Sequence, residues 1–203
     1  MIRRILTLAV CLALAGLTGC ALTTERIELK YNPQSAVTQM PGAKDVSVNV
    51  RVADQRQDKS KVSSKKNGFG IEMAPIIPSE DVAVTVRKAI EQELRARGFQ
   101  LAATDPLIQI EADLIRFYND HKVGFFSGDA VADLNMSVLV KSRSGSMLFS
   151  KQIAAQGIEP NTMLMTGENA KLALNRALEN GLKILFEDRT FLSALVASSA
   201  SIK

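Results

Sequence analysis

Val46, Val48, Val50 and Val52 alternate with Ser47, Asn49 and Arg51. A period of two places the valines on one face of a strand and the polar groups on the other, so this stretch predicts a half-buried strand. Asn67-Gly68 is a turn dipeptide between Lys61-Val62-Ser63 and Phe69-Gly70-Ile71-Glu72-Met73, which predicts a small hairpin closed off by Pro75 and Pro78. From Ser79 the apolar period lengthens: Val82, Val86, Ala89, Ile90 and Leu94 recur at helical spacing. Ser79 reads as the N-cap, Glu80 and Asp81 as first-turn acids, and Gly98-Phe99 as the stop.

Alternation returns at Ile108, Ile110, Ala112 and Leu114, and again at Ala132, Leu134, Met136, Val138 and Val140. Arg143-Ser144-Gly145-Ser146 turns the chain into a further strand, from about Met147 to Gly157. Beyond Asn169, the residues Leu174, Ala177, Leu178, Gly181, Leu182 and Leu185 mark a second helix. The order β-α-β-β-β-α, with single-faced strands and single-striped helices, predicts an α+β two-layer sandwich. Its expected form is an antiparallel four-stranded sheet with two helices on one face and an inserted hairpin. The domain is expected over residues 45–190, and residues 191–203 as a C-terminal tail with a short amphipathic piece at Phe191, Leu192, Leu195 and Val196.

The first 19 residues follow a different rule. Arg3 and Arg4 precede an uncharged apolar run from Ile5 to Leu17, which closes on Leu17-Thr18-Gly19-Cys20. That order is a secretory signal peptide, and the small residues Gly16, Thr18 and Gly19 suit a cleavage site better than a membrane-spanning helix. The ending resembles the bacterial lipobox, in which the Cys becomes an acylated N-terminus; residues 1–19 are then the signal and Cys20 the lipidation site. Ala21 after Cys20, in place of an Asp that resembles an inner-membrane retention signal, points to the outer membrane, facing the periplasm, with the inner membrane as the alternative. Residues 20–44, rich in Thr, Pro, Gln and Ser, read as lipidated N-terminus and tether, with one weak strand at Ile27, Leu29 and Tyr31. Fully extended, such a tether would reach roughly 80 Å.

Charge and chemistry narrow the function classes. Loss of Arg3 and Arg4 with the signal lowers the net charge of +4 to +2, and no basic stripe of the kind that binds nucleic acid is present. Cys11 leaves with the signal and Cys20 is acylated, so the mature domain has no thiol for a disulfide, metal site or nucleophile. His121 is the one His of the chain, which removes His clusters and Ser-His-acid triads; a solvated loop residue is the expected reading. Glu111 and Asp113 share one face of a strand and could serve paired-carboxylate chemistry, but a wet strand face explains them better. Asp54, Gln55 and Arg56 stand where the first strand ends: they form either an anion-binding site or an Arg-carboxylate brace, the brace being favoured. Phe117, Tyr118, Phe125 and Phe126 cluster in a predicted loop, where they either anchor a partner or fold back onto the core. No cofactor motif is present, Gly68 and Gly70 included.

Ala53-Asp54-Gln55-Arg56-Gln57-Asp58 after a Val-rich strand, Pro78-Ser79-Glu80-Asp81 opening a helix, Ala96-Arg97-Gly98-Phe99 closing it, and Leu174-Asn175-Arg176-Ala177-Leu178 form, with the lipobox, a combination that resembles the YajG-like family of uncharacterised Gram-negative lipoproteins. The segment from Lys61 to Pro75 and the aromatic loop are longer here than that pattern. The resemblance implies a lipid-anchored envelope protein and brings neither an activity nor catalytic residues. The expectation is a non-enzymatic lipoprotein that binds or positions another envelope protein or lipid, by the aromatic loop or an exposed sheet edge. The alternatives are an accessory subunit of a lipid or lipopolysaccharide transport system and, less fitting, a wall or glycan hydrolase acting through Glu111 and Asp113.

Overall fold

The computed structural model describes residues 23–35, 37–67, 69–123, 128–162 and 164–197. Among them the chain forms β1 (Glu25–Ile27), β2 (Ser47–Asp54), β3 (Ser63–Lys66), β4 (Glu72–Pro78), α1 (Val82–Ala96), β5 (Gln100–Leu101), β6 (Ile108–Val123), β7 (Gly128–Ser142), β8 (Met147–Thr162), α2 (Gly167–Phe186) and α3 (Arg189–Val196). A five-stranded sheet has the order β5-β2-β6-β7-β8, and a three-stranded sheet the order β1-β4-β3. The mixed α+β class is as expected, but the four-stranded antiparallel sheet is not what forms. β2 lies parallel to β6, from Val48 opposite Ile108 to Asp54 opposite Leu114. The reason is the crossover: α1 carries the chain back along the sheet, so the next long strand starts where β2 started. β5, two residues long, is too short for any periodicity to show. Short connections do make β6, β7 and β8 antiparallel neighbours.

The core forms where the inward residues of β2, β6 and β7 meet the apolar stripes of the helices: Val48, Ile110, Leu134 and Val138 with Val86, Ile90, Leu94, Leu174, Leu178 and Leu182. α1 is capped by Asp81, not Ser79; the Asp81 carboxylate accepts from the Ala83 N–H at 2.7 Å, while the Ser79 N–H is taken by the Ile27 carbonyl at 2.8 Å. At its other end the Phe99 N–H reaches the Leu94 carbonyl and the Gly98 N–H the Arg95 carbonyl, with Gly98 at φ 92°, so only a residue tolerant of left-handed backbone fits. α3, set apart as tail in the sequence reading, is a helix capped by Asp188; its Phe191 packs edge-on to Phe149 and Phe186 at 5.4 and 5.3 Å.

β6 and β7 are far longer than the alternation implied, at 16 and 15 residues. For β6 the cause is a bulge between Leu114 and Arg116. Before it Ile108, Ile110, Ala112 and Leu114 face inward; after it the inward positions are Phe117, Asn119 and His121. One extra residue exchanges the two faces of the strand, so an unbroken strand looks in sequence like a strand followed by a loop.

Of residues 20–44, expected as lipidated N-terminus and tether, 25–35 and 37–44 are instead laid across the domain. β1 pairs with β4, the Lys30 N–H donates to Asn175 Oδ1 at 3.0 Å, and Asn32 Nδ2 to Glu179 Oε1 at 2.7 Å. The organising group is Glu93, fully buried on α1. Its carboxylate accepts from the Tyr31 hydroxyl at 2.5 Å, the Gln34 N–H at 3.0 Å, and Arg97 Nη1. Arg97 in turn donates to Gln34 Oε1 at 2.9 Å and stacks over the Phe186 ring at 4.5 Å. A buried carboxylate and guanidinium demand this many partners, and the N-terminal segment supplies them. Burial, together with the hydrogen bond to Glu93, pushes the Tyr31 hydroxyl well above its ordinary range and keeps it protonated as a donor.

Candidate functional site

The end of β2 brings Asp54 and Arg56 together. The Arg56 side chain is 5% exposed and lies 2.9 Å from the Asp54 carboxylate. Its Nε also donates to Asp54 at 3.0 Å; Nη1 donates to the Lys61 and Phe117 carbonyls at 3.0 and 3.3 Å, and Nη2 to the Lys59 carbonyl at 3.4 Å. Each of the five guanidinium N–H groups thus has an acceptor within the protein. Burial raises the Asp54 carboxyl, but the hydrogen bonds and charge of Arg56 outweigh it and hold the group below the usual carboxylate range. This arrangement ties the loop after β2 to β6. Gln55 is exposed, with its N–H on the Leu114 carbonyl at 2.9 Å, and takes no part in the brace.

The aromatic cluster divides. Phe117 is fully buried in the core, while Tyr118 faces out, its hydroxyl 3.2 Å from Ser64 Oγ. Phe125 and Phe126 lie outside the described residues, as does Cys20. His121, expected as a solvated loop residue, sits in β6 at 7% exposure with neither ring nitrogen hydrogen-bonded to protein. Burial lowers its basicity, Asp120 opposes that, and Lys66 adds to it. On the outward face Glu111 is held by Lys141 Nζ at 2.6 Å and Gln109 Nε2 at 2.9 Å, as a wet face requires. Among the described residues no group of three or more His, Cys, Asp and Glu could hold a metal ion.

An exposed sheet edge is among the expectations from sequence, but its location at the outer side of β8 is not. This strand of 16 residues ends the five-stranded sheet, and among the described residues no strand pairs with its far side. Asn180 Nδ2 donates to the Gln156 carbonyl at 2.8 Å, and Arg176 Nη1 to the Ile158 carbonyl. Those two carbonyls therefore point away from β7. Within a regular antiparallel ladder both backbone groups of a residue point the same way and alternate along the strand. From Phe149 to Ile158 the pairing with β7 is regular, so the backbone groups of Ser150, Gln152 and Ala154 also face outward. Their side chains are exposed, and small or polar. Against this edge lies a depression of about 950 Å³ lined by Arg116, Asp133, Gln156, Asn180, Lys183 and Glu187, among others. Arg116 Nε donates to Asp133 at 2.9 Å and Gln156 Nε2 to the same carboxylate at 2.8 Å, leaving a mixed-charge rim. An edge is set by which strands fail to pair, a property of the whole sheet that no local run of residues encodes.

Fold and geometry together define a mixed α+β domain of three helices and two sheets, with a braced loop, a strap held by buried charge and, at β8, an edge that no strand pairs with among the described residues. The chain belongs to the family described as Uncharacterized lipoprotein, which it matches over residues 33–195. Among curated proteins none matches it by sequence. A crystal structure of a Xanthomonas campestris protein superposes with a TM-score of 0.56 at 14% identity, covering 88% of this chain and 99% of the other. An uncharacterised protein follows at 0.51 and 9%, covering 81% and 98%. A minor lipoprotein of Acinetobacter baumannii reaches 0.40 at 8% identity, over 78% and 95% of the two chains. At these identities the first two likenesses concern the fold alone. No helix of the described residues is long and apolar enough to cross a membrane.

Proposed function

We propose that this chain is a non-enzymatic envelope lipoprotein of the YajG-like kind, anchored by acylated Cys20 to the periplasmic face of the outer membrane. Its domain binds or positions another envelope protein by accepting a strand from it along β8. The observation that carries this reading is the outward row of backbone donors and acceptors at Ser150, Gln152 and Ala154, on a strand long enough to take an extended segment. Strand addition gains main-chain hydrogen bonds, and the neighbouring depression can select side chains of the incoming segment. Natural sheets ordinarily block such an edge with charge, proline or a covering element. Here Pro160 stands near the far end of β8 and side chains of α2 cap Gln156 and Ile158, while among the described residues no side chain caps Ser150, Gln152 or Ala154.

In-cell photo-crosslinking from Gln152 tests the reading. A discrete protein adduct is expected, and it should vanish in Ala154→Pro, which removes one outward N–H while an edge position tolerates the ring. An adduct that is a membrane-embedded transporter would make the chain an accessory subunit of a transport system. Equal capture by wild type and Ala154→Pro would exclude strand addition.

A further inference from the structure

The β3–β4 hairpin ends in an apolar tip. Phe69 is 93% exposed, Ile71 60% and Met73 42%. The tip is built: Asn67 Oδ1 accepts from the Phe69 and Ile71 N–H groups at 3.0 Å each, and Gly70 takes φ 80°. The N–H groups of Asn67, Phe69, Gly70 and Ile71 are thus taken up within the turn while the large apolar side chains face out. Beneath the tip the charges are paired, Lys61 with Glu72 and Lys66 with Asp120 at 2.6 Å. Such a clustered apolar surface marks a contact site, and the start of the chain says with what.

β1 runs parallel to β4 with Glu25 opposite Ile76. Going backward from Glu25 the chain therefore heads the same way as going backward from Ile76, toward Ile71 and Phe69. Cys20 precedes Glu25 by five residues, as Ile71 precedes Ile76. That stretch spans at most about 18 Å. Cys20 is therefore within that reach of the N-terminal end of β1, the end nearer the hairpin tip. A second apolar side chain stands at this end: Leu164, 70% exposed, just precedes the α2 N-terminus, where Gly167 abuts the side chains of Glu25 and Ile27. Met147, 68% exposed, opens β8 at the opposite end of the long strands, paired with Lys141.

We propose that the β3–β4 tip is a second membrane contact, in which Phe69 and Ile71, with Leu164 on the same side of the domain, enter the leaflet that holds the acyl chains of Cys20 and fix the orientation of the domain. The inference rests on the lipid anchor of the proposed function. It replaces a domain held far from the lipid on a long tether by one seated on the surface, with β8 in a set direction. Since the neighbouring charges are paired, the contact should be insensitive to salt.

The test uses the mature protein extracted from membranes and reconstituted in vesicles of phosphatidylethanolamine and phosphatidylglycerol. Thiol labelling of wild type comes first, because Cys20 is the one thiol that remains after signal removal. A wild type that takes no label has its anchor; one that labels overturns the anchor and the tip contact with it. An environment-sensitive fluorophore is then placed at Phe69→Cys, Leu164→Cys and Met147→Cys, all at exposed positions where substitution leaves the core intact. Blue-shifted emission at 69 and 164, quenched by nitroxide on the acyl chains, is expected, with the probe at 147 open to aqueous iodide. If 69 is as open to iodide as 147 while wild type resists labelling, the tip contact is wrong and the anchor stands. A blue shift without nitroxide quenching would place a second copy of the chain on the tip, which also overturns the proposal.

Discussion

Removing Arg56 strands a largely buried carboxylate and three carbonyls at once. Arg56→Ala is therefore expected to cost about 3–5 kcal/mol, the range for breaking one side of a buried pair. Urea unfolding measures it, and Arg56→Lys should recover little, since an ammonium cannot reproduce the fork. A near-normal midpoint in Arg56→Ala would return the residue to the ligand-binding reading. His121 gives a pH prediction. Its ring is held below the ordinary value of 6.5 by burial, so near neutrality it is neutral in the folded chain, whereas the unfolded chain takes a proton near 6.5. Below that point the unfolded state binds more protons, so stability falls as pH drops from about 6.5 toward the lowered folded-state value, by at most about 1.4 kcal/mol per unit. His121→Phe should flatten the dependence of the urea midpoint over that window. A slope unchanged by the substitution would place the proton elsewhere. The sequence showed one His among turn formers; that it points inward depends on the bulge at Ile115, which no residue type announces.

Between elements, α2 approaches β8 closely at Gly157. A Cβ at Gly157 would lie 2.1 Å from the Ala173 carbonyl oxygen and 2.3 Å from the Ala177 nitrogen, both backbone atoms. At Gly181 the nearest obstacle, at 2.8 Å, is the end of the Leu134 side chain, which can turn aside. Gly157→Ala should therefore lower the thermal midpoint far more than Gly181→Ala, despite identical chemistry; similar midpoints would mean that α2 slides freely on the strand. Strands and helices with apolar periods were legible because burial on one face imposes the period, as in β2 and α1. The parallel pairing of β2 and β6 was not, since the same alternation serves either direction. The weak strand expected at Ile27, Leu29 and Tyr31 forms only at Ile27, and β1 lies at Glu25–Ile27, because its pairing is set by β4 and not by the alternation of its own residues.

For the whole molecule, the stretches that carry the family resemblance turn out to be fasteners. Ala53 to Asp58 contains the brace of Arg56, and Ala96 to Phe99 holds the guanidinium of Arg97 and the turn at Gly98. Fold and framework could thus be read in outline from these residues, whereas the candidate site could not, because it consists of an unpaired edge and an exposed tip. Asp54 and Arg56 stood out in sequence because they are chemically conspicuous; Ser150, Gln152 and Ala154 did not, since their contribution is backbone. The N-terminal strap has a mechanical consequence. Because β1 lies parallel to β4, a pull on Glu25 directed along the strand axis would load the β1–β4 bonds together in shear, not one after another as in peeling. Behind them, Tyr31 and Gln34 on Glu93 share the load, so a domain tugged by its own attachment would be gripped where it is best fastened.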